Sequence, residues 1–298
     1  MSGGPPLADL LDMAFMRHAL LAGIPVAALS GFVGWFMVLR SQVFTGDALS
    51  HVAFTGALGS LALGVSPQLG LLVCTVVVGV GLGLLGGRGR ADDVVIGTVF
   101  AWVLGIGVLA LSLYTASSAG TTAGSAGVSV LFGSIFGLSV TAAWTAAGVS
   151  VGLLLLLGLL ARPLLFASLD EAVAAARGVP VRALGLLFLA LVGATAAQAT
   201  QAVGALLLLG LLAAPAGAAR RLTDRPYLGM ALAAGISMAS MVLGLLASYL
   251  LPQVPPSFGI LTVAALSYGL SPLVGRWRAR SRCARAGTAG GNRPPARP

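Results

Sequence analysis

The sequence predicts an all-α fold: a polytopic membrane bundle of eight or nine helical spans. Three observations predict it. Hydrophobic residues make up 58% of the 298 and charged residues only 8%, where a soluble domain carries roughly 25% charge. Mean hydropathy is correspondingly high at +1.01. Apolar runs fill most of the chain, and many reach the ~20 residues that cross a hydrocarbon core about 30 Å thick. The 42 glycines are spread through these runs, where small residues let helix backbones approach closely in lipid.

The elements follow in order. Residues 1–14 form an N-terminal segment in which Asp9 and Asp12 stand ahead of the first apolar run. A removable signal peptide would carry positive charge there, so the first helix is expected to direct insertion itself. A membrane body over 15–277 contains spans near 17–39, 43–64, 67–86, 94–114, 129–161, 182–199, 201–218, 228–250 and 257–276. Ser, Thr and Gly between Thr115 and Gly127, and the proline turn at Pro252, Pro255 and Pro256, read as uncharged translocated loops. Residues 278–298 are rich in Arg, Gly and Pro and are expected to be a disordered cytoplasmic tail.

Charge sets the topology. All seventeen basic residues are Arg, and the net charge is +9. They concentrate in four places: Arg88 and Arg90, Arg162 through Arg182, Arg220 through Arg225, and Arg276 onward. Placing all four in the cytoplasm requires an even number of spans between neighbours, and the reading above supplies two each time. This distribution fits membrane topology better than a nucleic-acid groove, so no nucleic-acid partner is expected. At the front end Arg17 and Arg40 flank one helix, so charge leaves open whether nine spans put the N-terminus outside or eight put it inside. Cys74 and Cys283 fit neither a disulfide framework nor a paired-thiol metal motif.

One stretch carries chemistry: Gly46, Asp47, Ala48, Leu49, Ser50, His51, ending at Gly56. Asp47 and His51 are four apart, and Ser50 is three from Asp47, so on a helix they share one face. A charge at membrane depth costs at least about 2.5–3.5 kcal/mol on insertion scales and is retained with a partner or a function. Carboxylate oxygen and imidazole nitrogen together suit zinc, manganese or iron. The residues alone also allow Asp47 to cap a helix, His51 to bond a neighbouring backbone, or the two to relay protons. A Ser50/His51 hydrolase is disfavoured, because consecutive residues on a helix point about 100° apart.

The string from Gly46 to His51 with its Gly56 resembles the signature of the permease subunits of zinc, manganese and iron ABC importers, the family also called ABC-3. The likeness extends over roughly 15–277. Asp92 through Gly97 resembles the family's acidic loop before a helix, and Leu131-Phe132-Gly133 its Leu-Phe-Gly turn. Asp170 through Gly178 is similar to the cytoplasmic coupling segment, and Gln201 through Ala216 to the helix pair that follows. Where the family usually shows Leu-Gly, this chain has Arg177-Gly178.

The resemblance implies Asp47 and His51 as metal ligands on a translocation path, with Ser50, Gln198 and Gln201 as further candidates. It also implies a coupling segment at 169–182, with Asp170, Glu171, Arg177, Gly178 and Arg182 meeting a cytoplasmic ABC ATPase while Ala172, Val173 and Ala176 pack. Implied partners are that ATPase, an extracytoplasmic metal-binding protein and a second permease copy. No permanently bound cofactor is expected, the divalent ion being cargo, with zinc placed just ahead of manganese. The protein would be a multi-pass subunit of the bacterial inner membrane. A phosphate loop needs a Lys that this chain lacks, so ATP hydrolysis is assigned to another polypeptide. The rivals are an ABC permease for a siderophore or cobalamin chelate and a proton-coupled secondary transporter.

Overall fold

A computed structural model describes residues 13–86, 92–117, 133, 135–205 and 208–290, with side chains described as far as 273. Its helices are α1 (Ala14–Leu39), α2 (Val43–Ala62), α3 (Pro67–Leu85), α4 (Asp93–Ser117), α5 (Val140–Leu169), α6 (Glu171–Ala176), α7 (Val181–Val203), α8 (Leu208–Leu222), α9 (Pro226–Leu250) and α10 (Pro256–Gly290). A 3₁₀ turn at Ile135–Gly137 precedes α5. The described residues contain no strand, in keeping with the all-α expectation. Leu131 and Phe132 of the expected Leu-Phe-Gly turn lie outside the described residues.

Seven helices are long and apolar enough to cross a membrane: α1, α3, α4, α5, α7, α9 and the first part of α10. By length and apolarity alone the count is seven, against the eight or nine spans that the sequence predicts, although α2 and α8, which fall short of that measure, still lead from one face of the bundle to the other. Helix α2 drops out because Thr45, Asp47, Ser50, His51 and Thr55 dilute its apolarity. The α8 helix drops out because it has 15 residues, about 22 Å of rise. Gly204, at φ 93°, ends α7 and splits the stretch that the sequence reads as a span over 201–218. The last helix runs on to Gly290, into the segment that composition assigns to the tail.

Burial explains why α2 can be polar. It packs on α3, α4 and α7 and also touches α1 and α8. A helix enclosed by other helices need not present apolar surface to lipid. Burial grades the rest: 78% of the α7 span and 67% of the α1 span is buried, against 22% for α4. Thus α1, α2 and α7 form the centre, with α3, α4 and α5 outside them. The main core cluster joins Phe36, Leu49, Phe188, Leu212 and Met241 from five different helices.

Close backbone approaches give the directions. A Cβ at Gly23 would lie 3.1 Å from Met241, one at Gly31 would lie 2.5 Å from the Ala233 carbonyl oxygen, and one at Gly229 would strike the Trp35 ring. As numbers rise along α1 they fall along α9, so the two helices are antiparallel. The Arg40 end of α1 therefore lies at the Arg225 end of α9. With Arg220–Arg225 cytoplasmic by the positive-inside rule, α1 starts on the far side and ends inward. This answers the question that the charges of Arg17 and Arg40 leave open.

Candidate functional site between helices α2 and α4

The ligand candidates stand on one stripe of α2. Asp47, His51 and Thr55 recur every four residues, close to the helical repeat, and the stripe faces α4. The Thr55 hydroxyl donates to the Val103 carbonyl at 3.1 Å, and a Cβ on Gly107 would reach that same hydroxyl at 2.5 Å. One turn below, the His51 ring meets Phe100 edge to face, with centroids 5.1 Å apart and an interplanar angle of 73°. One further turn below, Asp47 opens onto a cavity of about 410 Å³ lined by Phe44, Ala48, Asp93, Ile96, Gly97 and Phe100 as well. The two helices therefore run parallel, with Thr55 and Val103 fastening them and the cavity beneath.

Depth follows from neighbouring backbone. A Cβ on Gly46 would lie 3.5 Å from the Leu212 side chain, and Leu212 comes eight residues before Arg220. Eight residues of helix rise about 12 Å. Asp47 is thus held well inside the bilayer on the cytoplasmic half, and His51 one turn deeper.

The remaining candidates are placed differently. Ser50 is fully buried and its hydroxyl donates to the Asp47 carbonyl at 2.6 Å, so it is turned to its own helix. Gln198 lies on α7 and is 5% exposed, with Oε1 buried and without a hydrogen-bond partner. Its neighbour Ala197 packs against Ala53 and Ala57, which puts Gln198 alongside the half of α2 beyond His51. Gln201 is half-buried near the end of α7. Among the described residues no three His, Cys, Asp or Glu side chains gather closely enough to hold an ion.

Asp93 is the residue that the sequence reading missed. Asp92 and Asp93 read as a loop before a helix, but Asp93 is the first residue of α4 and lines the cavity with Asp47. The signal was available in part, since an acid at a helix start near a basic segment marks the cytoplasmic end. That α4 lies alongside α2 could not be read from either segment alone.

A second site lies at the cytoplasmic end, between α5 and α7. Asp170 caps α6, its Oδ1 accepting from the Val173 amide at 3.0 Å. The other end closes with Val179 donating to the Ala174 carbonyl and Gly178 to that of Ala175. This is the paired pattern that needs a left-handed residue after the cap, and Gly178 supplies it at φ 82°. Arg177 and Arg182 are exposed, and Glu171 is half-buried. The expectation that Ala172, Val173 and Ala176 pack is corrected: Ala174 is the buried residue, while those three face outward, Val173 at 44% exposure. A six-residue helix resting on α5 turns only one narrow face inward. With Leu169, they leave an apolar surface ringed by charge.

Comparison with known proteins adds to this geometry. The model of the ABC 3 transport family matches residues 12–274. The manganese transport system membrane protein MntC of Halalkalibacterium halodurans is 29% identical over 274 residues, covering 90% of this chain and 91% of that one. The manganese import system permease protein ScaB of Streptococcus parasanguinis is 29% identical over 267 residues, covering 88% and 93%. Among solved structures, PsaBC from Streptococcus pneumoniae in complex with Fab aligns with a TM-score of 0.77 at 27% identity, over 89% of this chain and 95% of that one.

Proposed function

The chain belongs to the ABC 3 transport family, and from that premise we propose that it is the membrane-spanning permease of an ATP-driven importer for divalent metal ions, manganese first and zinc second. It is a multi-pass protein of the bacterial inner membrane. The observation that carries the reading is the stripe on α2: a carboxylate and an imidazole one turn apart, inside the bilayer, beside a cavity of about 410 Å³. Relatives named for manganese support putting that ion ahead of zinc.

Asp47 and His51 act as ligands in this reading. Two groups from one chain leave an ion undercoordinated, which supports a second copy bringing its own pair to a shared axis. Asp93 adds a carboxylate on the cytoplasmic side of the cavity, where an ion leaving Asp47 would pass. Gln198 and Gln201, toward the far side, suit the approach of a hydrated ion, and Ser50 supports Asp47 through its backbone. A site of mixed oxygen and nitrogen ligands with few charges binds well enough to select and weakly enough to release.

The α6 segment gives the handle for work. Leu169 and Val173, bounded by Asp170, Glu171, Arg177 and Arg182, suit the groove of a cytoplasmic ATPase whose closure would be passed to α5 and α7. The ATPase and an extracytoplasmic metal-binding protein complete the assembly, and hydrolysis resides in the former. The test is uptake of manganese, zinc and iron by a strain lacking this gene, with and without the restored chain. Manganese uptake should fall most on deletion; unchanged uptake of all three metals would rule the reading out.

A further inference from the structure

Helix α10 does not end where the membrane does. Its apolar run closes at Gly275, just ahead of Arg276, yet the helix continues to Gly290, 15 residues or about 22 Å further. That extension carries Arg276, Arg278, Arg280, Arg282 and Arg285, and the chain has no acidic residue after Asp224. The family match stops at 274, so the series lies beyond the matched transport body.

A second basic group stands at the same end. Helices α8 and α10 run in the same direction: a Cβ on Gly210 would meet Leu261, and one on Gly217 would lie 2.9 Å from Tyr268. Both helices thus bring their C-terminal ends to the cytoplasmic face. Arg221 places its guanidinium 4.1 Å over the Tyr268 ring and donates to the Tyr268 hydroxyl. Arg220 beside it is exposed.

We propose that the Arg276–Arg285 extension of α10, with Arg220 and Arg221 beside it, binds anionic phospholipid headgroups of the cytoplasmic leaflet. The headgroup layer is roughly 5–8 Å deep on each side of the hydrocarbon. The first turn beyond Gly275 therefore crosses it, and Arg276 and Arg278 belong to that turn. The later arginines rise into water within reach of the surface potential, where each basic residue multiplies binding about fivefold.

Charge pattern favours lipid over protein. A docking surface for a protein partner pairs apolar anchors with charges of both signs, as α6 does with Leu169, Val173, Asp170 and Arg177. The α10 extension offers a single sign, with Trp277 and otherwise small residues between the arginines, which needs no register and suits a field of phosphates. The proposal is independent of the transported ion.

The test uses the full-length chain in vesicles of phosphatidylcholine containing about 20% phosphatidylglycerol, a content at which the surface field acts. Lipids retained after mild extraction are counted by native mass spectrometry. The wild type should retain phosphatidylglycerol at least about threefold above its share, and the excess should vanish near 0.5 M salt, where the Debye length is only about 4 Å. Replacing the five arginines by Gln (Arg276→Gln, Arg278→Gln, Arg280→Gln, Arg282→Gln, Arg285→Gln) should bring retention close to that share. Replacing the same five by Lys should keep the excess, since the field needs charge and not guanidinium shape. The Lys variant and the salt series read the same dependence even if the Gln variant inserts poorly. No excess in the wild type, an excess that survives salt, or a folded Gln variant with undiminished excess would each overturn the proposal. So would unchanged lipid retention combined with loss of the ATPase, which would make the extension a protein contact.

Discussion

At the residue scale the account rests on Asp47 and His51, and their spacing was legible. The i, i+4 placement follows from helix geometry, and the structure adds that the shared face looks at α4, with His51 against Phe100. What the spacing could not give was the opposite wall: Asp93 stands 46 positions away and becomes a neighbour only when α2 and α4 pair. Asp93→Asn should leave manganese bound at Asp47 and His51 while slowing its release, so that uptake falls several-fold with the metal still retained on the purified protein; equal loss of retention would place Asp93 in the binding site itself. His51→Gln should lower manganese retention on the purified protein several-fold, the amide being a weaker ligand than imidazole. Undiminished retention would remove His51 from the ligand set.

At the element scale, composition finds the long apolar helices whether they face lipid or, like α1 and α7, lie mostly inside the bundle. Helices α3, α4 and α5 leave much of their surface outside the bundle. Helix α2 is more polar, as its enclosure by neighbouring helices allows. The α6 cap was legible as Asp170 ahead of a short alanine run, whereas its buried face was misjudged, since six residues have too little periodicity to choose a side. Gly178→Ala should strain a left-handed turn by about 1–2 kcal/mol and lower the melting temperature by about 2–4 °C; no shift would mean the turn relaxes without it. Val173→Glu places a charge on the exposed apolar surface and should weaken co-purification of the ATPase at least about tenfold while leaving manganese retention intact. Normal ATPase recovery would move the docking site elsewhere.

At the scale of the whole molecule, the positive-inside distribution and the antiparallel pairing of α1 with α9 give one orientation: N-terminus outside, α2 rising from the cytoplasmic side, and Arg162, Arg220 and Arg276 inside. With Cys74 and Cys283 replaced by Ser, a cysteine at Ser66 should react with a membrane-impermeant maleimide from outside intact cells and one at Arg162 should not; the reverse would invert the bundle. The orientation sets Asp47 about 12 Å above the cytoplasmic basic level and His51 one turn further. The central claim, that this pair carries the ion, is tested most directly by manganese uptake in cells whose own copy is replaced by Asp47→Ala, His51→Ala. Uptake should drop to that of the deletion strain while the variant still co-purifies with its ATPase. Uptake at the wild-type rate with both residues gone would contradict the account.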